Sequence, residues 1–360
     1  TAYIFLTEDA YRKNWVDNGQ MGKDGPIAQQ GLKSRLEALQ AEGLAARVEP
    51  VFGIPEGLVE KDIWTIFEKV FAALRTGDEV LVDITHGFRS IPMLSLVLMN
   101  YSKFLKHISL EGIYYGAFET LGPKYKVQEL PMEHRNAPIV DLTNFSVLQD
   151  WATAAHDFTT NGRVNYIQKL ALEKAKPALK ATKGQDPEAQ RLRSLAQELA
   201  AMVAELSTCR GYELYRGRRA QKVNALLGEI QQGYIKPFQP IMEEIGRAVS
   251  HLGKEDDIQN GLKAVDWCLR NGLVQQAYSV LLEFVITYLM LRQDEDIRNV
   301  QTRDVFTSAL RVHAKGLDES QWAGALAKRK ALGRKVLADP KTEALSKAYN
   351  SLADYRNDIM

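Results

Sequence analysis

Near residue 145 the chain changes texture, and the change divides it in two. Up to that point short apolar runs alternate with amphipathic stretches. Beyond it the sequence is helical throughout, rich in Ala, Leu, Glu, Lys and Gln. In the first part, "AYIFL" (2–6), "ARVEPVF" (46–52), "EVLVDIT" (79–85) and "SLEGIYYGAFE" (109–119) read as strands. "KYKVQEL" (124–130) and "APIVDLT" (137–143) read as added strands. Helical stretches at 27–43, 55–78 and 90–107 separate the first four. Such alternation predicts a mainly parallel, Rossmann-like sheet with helices on both faces. Ligands of such sheets bind beyond the strand C-termini. Three polar tips would meet there: "TED" (7–9), "THGFRS" (85–90) and "YGAFE" (115–119).

The second part has helix candidates at 145–158, 163–181, 187–208, 219–232, 237–251, 258–270, 272–293, 301–313, 320–328 and 341–356. No fixed-period repeat is visible, which argues against a solenoid. The run "VLLEFVITYLM" (280–290) carries Glu283 and is too short to cross a bilayer, so it reads as a buried helix. No secretory leader and no membrane partner are expected. Cys209 and Cys268 are lone thiols without a CxxC or Cys/His cluster, which predicts a cytoplasmic protein without zinc.

Charge excludes a polyanion sponge: 46 Lys and Arg face 45 Asp and Glu. Nucleic-acid contact would need a local cluster. "YRGRRAQK" (215–222) is one, although a solvated helix start explains it as well. There is no Walker A loop and no G-x-G-x-x-G after the first strand, so a nicotinamide oxidoreductase is a remote reading.

The tip "DITHGFRSIP" (83–92) is crowded with groups that grip anions. Gly87 allows close backbone approach, Thr85 and Ser90 bring hydroxyls, and Arg89 brings a planar cationic fork. A helix starting near residue 90 points its positive end at the same place. The plain alternative is a capped turn in which Arg89 pairs with a carboxylate.

"DITHGFR", "YIFLTEDAYRKNW", "IYYGAFE" and "NGLVQQAY" (271–278) together resemble the CRISPR-associated CARF–HEPN ribonucleases of type III systems. The resemblance implies an α/β Rossmann-like CARF domain over 1–144, a helical linker over 145–190 and an all-α HEPN domain over 191–360. It also implies a homodimer whose two strand edges make one symmetric pocket for cyclic oligoadenylate, with the tetra-adenylate ring favoured. Carried over by position, Thr7, Glu8 and Asp9 line the first tip. Thr85, His86, Gly87, Arg89 and Ser90 line the second, and Tyr115 and Gly116 the third. No cofactor is expected, only this activator.

For the helical half, the resemblance implies an Arg-x4-6-His motif. Arg356 and Asn357 in "YRNDIM" match its first part, and the histidine would fall at or just after 361, past Met360. The implied chemistry is metal-independent cleavage of single-stranded RNA. The 2′-OH attacks the adjacent phosphate, with His as acid/base and Arg stabilising the phosphorane charge. Glu283 is a candidate partner for Arg356 or for another cation. His313 is the fallback histidine. Two alternatives stay open: a non-catalytic sensor, and a ring nuclease that uses Thr85, His86 or Ser90 to degrade the activator.

Overall fold

The computed structural model describes residues 1–22, 25–86, 91–230 and 238–359. It divides into two units, Thr1–Val147 and Leu148–Met360.

In the first unit, β1 (Ala2–Thr7) pairs in parallel with β4 (Val48–Ile54), and Phe5 lies opposite Val51. A short hairpin of β2 (Met21–Gly22) and β3 (Gly25–Pro26) comes between them in sequence, as do a one-turn α1 (Glu8–Ala10) and α2 (Leu32–Ala41). A second ladder joins β5 (Glu79–Asp83) in parallel to β6 (Ser109–Gly116), and β6 antiparallel to β7 (Ile139–Asp141). The expected single parallel sheet is thus a mixed arrangement of separate ladders among the described residues.

Helices α3 (Glu60–Ala73) and α4 (Ile91–Lys106) cover one face of β5 and β6. Leu98, Met99 and Ile108 pack there with Phe67, Val70, Val80, Val82 and Leu110. Strand side chains alternate, so Leu81 points the other way and stands 66% exposed. Helices on both faces of this ladder were expected; among the described residues this cluster lies on one face, and Ile84 and Ile113 are buried outside it. Lys106 donates to the carbonyls of Phe71 and Leu74, capping the C-terminal end of α3 and tying it to α4.

The segment 124–130 is a helix, α5 (Lys124–Glu129), rather than the expected strand. Pro123 occupies its N-cap with extended backbone, and Lys126 and Val127 donate back to the Pro123 carbonyl. Among the described side chains of α5, Val127 alone is buried. That single anchor suits one helical turn, whereas a strand would bury alternate residues.

The second unit is helical. Helix α6 (Thr143–Asn161) spans the division and buries Trp151, Ala154 and Phe158. Helix α7 (Asn165–Ala181) packs along α8 (Pro187–Ser207), so the segment 145–190 carries core side chains of this unit. Leu192, Leu195, Leu199, Met202 and Leu206 of α8 recur at spacings of three and four, the buried stripe of a packed helix. Asp186 caps α8 by accepting from Ala189 N at 2.7 Å. Then follow α9 (Gly211–Arg216), α10 (Arg218–Ile230), α11 (Gln239–Val249) and α12 (Gln259–Arg270). Helix α13 (Val274–Arg292) contains the "VLLEFVITYLM" run. By length and composition it could cross a bilayer, yet Leu282, Ile286, Leu289 and Met290 belong to the unit's main core. Helices α14 (Val300–Lys315), α15 (Gly324–Lys328), α16 (Lys330–Leu337) and α17 (Pro340–Ile359) complete that core with Val305, Phe306, Leu310, Leu326, Val336 and Tyr349.

A buried carboxylate starts α17. Asp339 is 7% exposed and takes both ends of the Arg292 fork, at 3.0 and 3.2 Å, plus Gln293 Nε2 and the Lys341 amide. The Arg292 hydrogen bonds, opposed by burial, hold its carboxyl below the usual carboxylate range. A depressed pKa stabilises the fold above the unfolded carboxylate pKa, and the gain is lost as pH falls through the folded value. Asp339→Asn should therefore cost about 1–2 kcal/mol at neutral pH. The cost should shrink as pH drops below about 4. Urea midpoints of both proteins across pH check this; a constant difference would refute it.

Candidate functional site

The tip of β5 is locked before it leaves the ladder. Ile84 N donates to Tyr114 O at 3.0 Å and extends the pairing by one residue. Asp83 Oδ1 accepts from Thr85 N at 2.8 Å, closing a local turn. Thr85 Oγ1 accepts from Gly116 N at 2.7 Å. Two of the three expected tips are therefore joined by one side chain, Thr85. Gly116 has no Cβ for a reason visible here. A Cβ would sit 3.2 Å from both Cγ2 and Oγ1 of Thr85, so a larger residue would require Thr85 to give by a few tenths of an ångström. His86 is exposed beside this stitch. Gly87, Arg89 and Ser90 lie outside the described residues.

The third tip continues the stitch. Tyr115 OH donates to Glu119 Oε1 at 2.7 Å. That bond lowers the Glu119 carboxyl pKa and raises that of the Tyr115 phenol. The first tip stands on the other ladder. Thr7 Oγ1 accepts from Ala10 N and caps α1. Asp9 pairs with Lys13 at 2.6 Å and Arg12 at 3.0 Å, and the Lys13 hydrogen bond chiefly lowers its pKa. Among the described residues, no hydrogen bond or ion pair joins Thr7, Glu8 or Asp9 to the other two tips. Glu119 was not singled out by sequence reading. Its signal was the i,i+4 spacing from Tyr115 at the end of a strand.

In the helical unit, Arg356 Nη2 donates to Asn357 Oδ1 at 3.0 Å, while Arg356 Nε is buried with no hydrogen-bond partner. Glu283 pairs with Arg303 at 2.5 Å, which settles its partner as the other cation. Arg303 also donates to Thr287 and to the carbonyls of Glu283 and Ile297. Tyr349 is buried, and burial pushes its phenol pKa up while Arg311 and Arg356 pull against it.

His313, the fallback histidine, lies apart from Arg356 within this chain. Its Nδ1 meets Ser346 Oγ at 3.0 Å. Ser346 and Arg356 are ten positions apart on α17, or about 15 Å along the axis. Helices α14 and α17 pack together, which holds His313 beside the first half of α17, while Arg356 lies in its last turn.

The basic cluster at 215–222 is neutralised by neighbours. Arg216 pairs with Asp256, Arg218 with Glu255, Lys222 with Glu198, and Arg219 with both Glu198 and Glu205. Glu205 is almost fully buried, and burial raises its pKa against the pull of Arg219. These pairs tie the cluster to acidic side chains of neighbouring segments. A small cavity of about 20 Å³ beside Glu205, Arg219 and Asn260 has room for one water. Among the described residues no group of His, Cys, Asp and Glu could hold a metal ion.

The chain resembles a CRISPR-associated protein. It is 32% identical over 120 residues, 32% of its length, to CRISPR-associated protein MJ1674 of Methanocaldococcus jannaschii. The match spans 17% of that relative's length. No family model matches the chain.

Proposed function

We propose that this chain is a CRISPR-associated, ligand-gated ribonuclease. The first unit senses cyclic oligoadenylate at its strand tips, and the helical unit cleaves single-stranded RNA without a metal. One observation carries the reading: the "DITHGFR" tip of β5 is stitched through Thr85 to the β6 tip at Gly116. Similarity to a CRISPR-associated protein supports it. In this reading backbone amides and Arg89 hold the ring's phosphates, and a homodimer brings two strand edges together into one symmetric pocket. Arg356 stabilises the charge on the phosphorane, and a histidine following Met360 moves the proton.

A second reading, the non-catalytic sensor, is favoured by the separation of His313 from Arg356. The ring-nuclease reading has less support, because the Thr85 hydroxyl oxygen already accepts from Gly116 N.

Arg89→Ala should weaken binding of cyclic tetra-adenylate by more than about 1.5 kcal/mol, the scale of a charge-assisted hydrogen bond. Calorimetry on the folded variant tests this. Unchanged affinity would remove Arg89 from the site.

A further inference from the structure

The turn after β6 carries an exposed aromatic residue and an exposed acid at consecutive positions. Phe118 and Glu119 open a one-turn helix over Phe118–Leu121. Phe118 is 50% exposed, and Glu119 is exposed too. A lone exposed ring needs no explanation. This one stands on a braced platform. Ala117, directly before it, is buried and donates to Pro138 O at 2.9 Å. Thr120 Oγ1 donates to Ala117 O at 2.7 Å, and Gly122 N donates to Glu119 O at 3.0 Å. One residue further back, Gly116 is stitched to Thr85. The ring and the carboxylate are thus two and three residues from the tip, on backbone tied at both ends.

The Tyr115 hydroxyl spends its proton on Glu119 Oε1 and keeps the carboxylate an acceptor. An ionised carboxylate only accepts, so it needs a donor edge opposite it. Adenine offers such an edge through its exocyclic N6 amine, whereas a 6-oxo purine presents an oxygen at the same place and would be repelled. An exposed aromatic ring on the same turn is what a splayed base stacks on, and a purine covers more of it than a pyrimidine.

We propose that Phe118 and Glu119 read the base of the ligand held at the strand tips: Phe118 stacks on a 6-aminopurine, and Glu119 accepts from its exocyclic amine. Tyr115 acts as a positioning residue through Glu119. The inference rests on the strand-tip reading above and adds how adenine is told from other bases.

The test titrates the full chain with cyclic tetra-adenylate and with the same ring carrying hypoxanthine. Wild type should prefer the adenine ring. Glu119→Gln, whose amide can turn a donor toward a 6-oxo group, should lose about tenfold or more in adenine-ring affinity and most of the preference. Tyr115→Phe should shift the preference the same way by less, and Phe118→Leu should weaken both rings alike. If wild type binds the adenine ring and Glu119→Gln keeps both affinities, the base contact is wrong while the strand-tip reading stands. If wild type binds neither ring, the strand-tip reading falls and takes the base contact with it.

Discussion

Arg356→Ala should leave single-stranded RNA uncut while the protein still binds cyclic tetra-adenylate as wild type does. The test uses a chain that continues past Met360. Arg356 is the one helical-unit residue to which the proposed chemistry assigns the developing phosphorane charge. Arg303, also in this unit, is committed to Glu283, Thr287 and two carbonyls. Losing a charge-stabilising donor of this kind costs roughly 10²–10³ in rate. Ligand affinity should survive, because Arg356 belongs to the second unit and the strand tips to the first. Added EDTA should change neither result. A gel-based cleavage assay with and without the ring reads the rate, and calorimetry reads the affinity. Wild-type cleavage by Arg356→Ala would end the ribonuclease reading and promote the non-catalytic sensor.

Phe306→Ala should cost roughly 3–5 kcal/mol of stability, the range for removing a fully buried ring. Phe306 is 0% exposed on α14, in the core shared with Leu282, Met290, Leu326 and Tyr349 from three other helices. The cavity left behind cannot close without moving α13 and α17, whose own side chains are packed on the same core. Cleavage should fall with the fold, at temperatures where ring binding persists. Urea unfolding followed by circular dichroism measures the loss. A cost under about 1 kcal/mol would mean that the site collapses readily, against the packing seen here.

The helices of the second unit were legible because their buried residues repeat at three and four. The α8 stripe is the clearest case. Two short helices, α9 and α16, were not read from the sequence. Six and eight residues carry too little periodicity, and tertiary packing holds them. Residues 124–130 misled because Val127 and its neighbours alternate like a strand, while Pro123 starts a helical turn. At the candidate site, Thr85 and Gly116 could be picked out individually from the β5 and β6 tips. Their mutual hydrogen bond could not, since it joins residues 31 positions apart. The same limit hid the partners of the basic cluster. Arg219 meets acids 14 and 21 positions away, and nothing local in "YRGRRAQK" signals them. The place of His313 was hidden for a related reason: only the register of α14 on α17 tells where it lies along that helix.

Helix α17 has mechanical consequences. Its 20 residues make a rod about 30 Å long. The Asp339 carboxylate clamps it at one end, and Arg356 rides near the other. A rod held this way is a lever arm: a tilt of about 10° at the clamp carries the far end roughly 5 Å, more than the length of a hydrogen bond. Tyr349 and Ala353 seat the arm between α13 and α14, so it swings only if its neighbours give way with it. Where the Arg356 guanidinium comes to rest is thereby set by the stiffness of a three-helix joint.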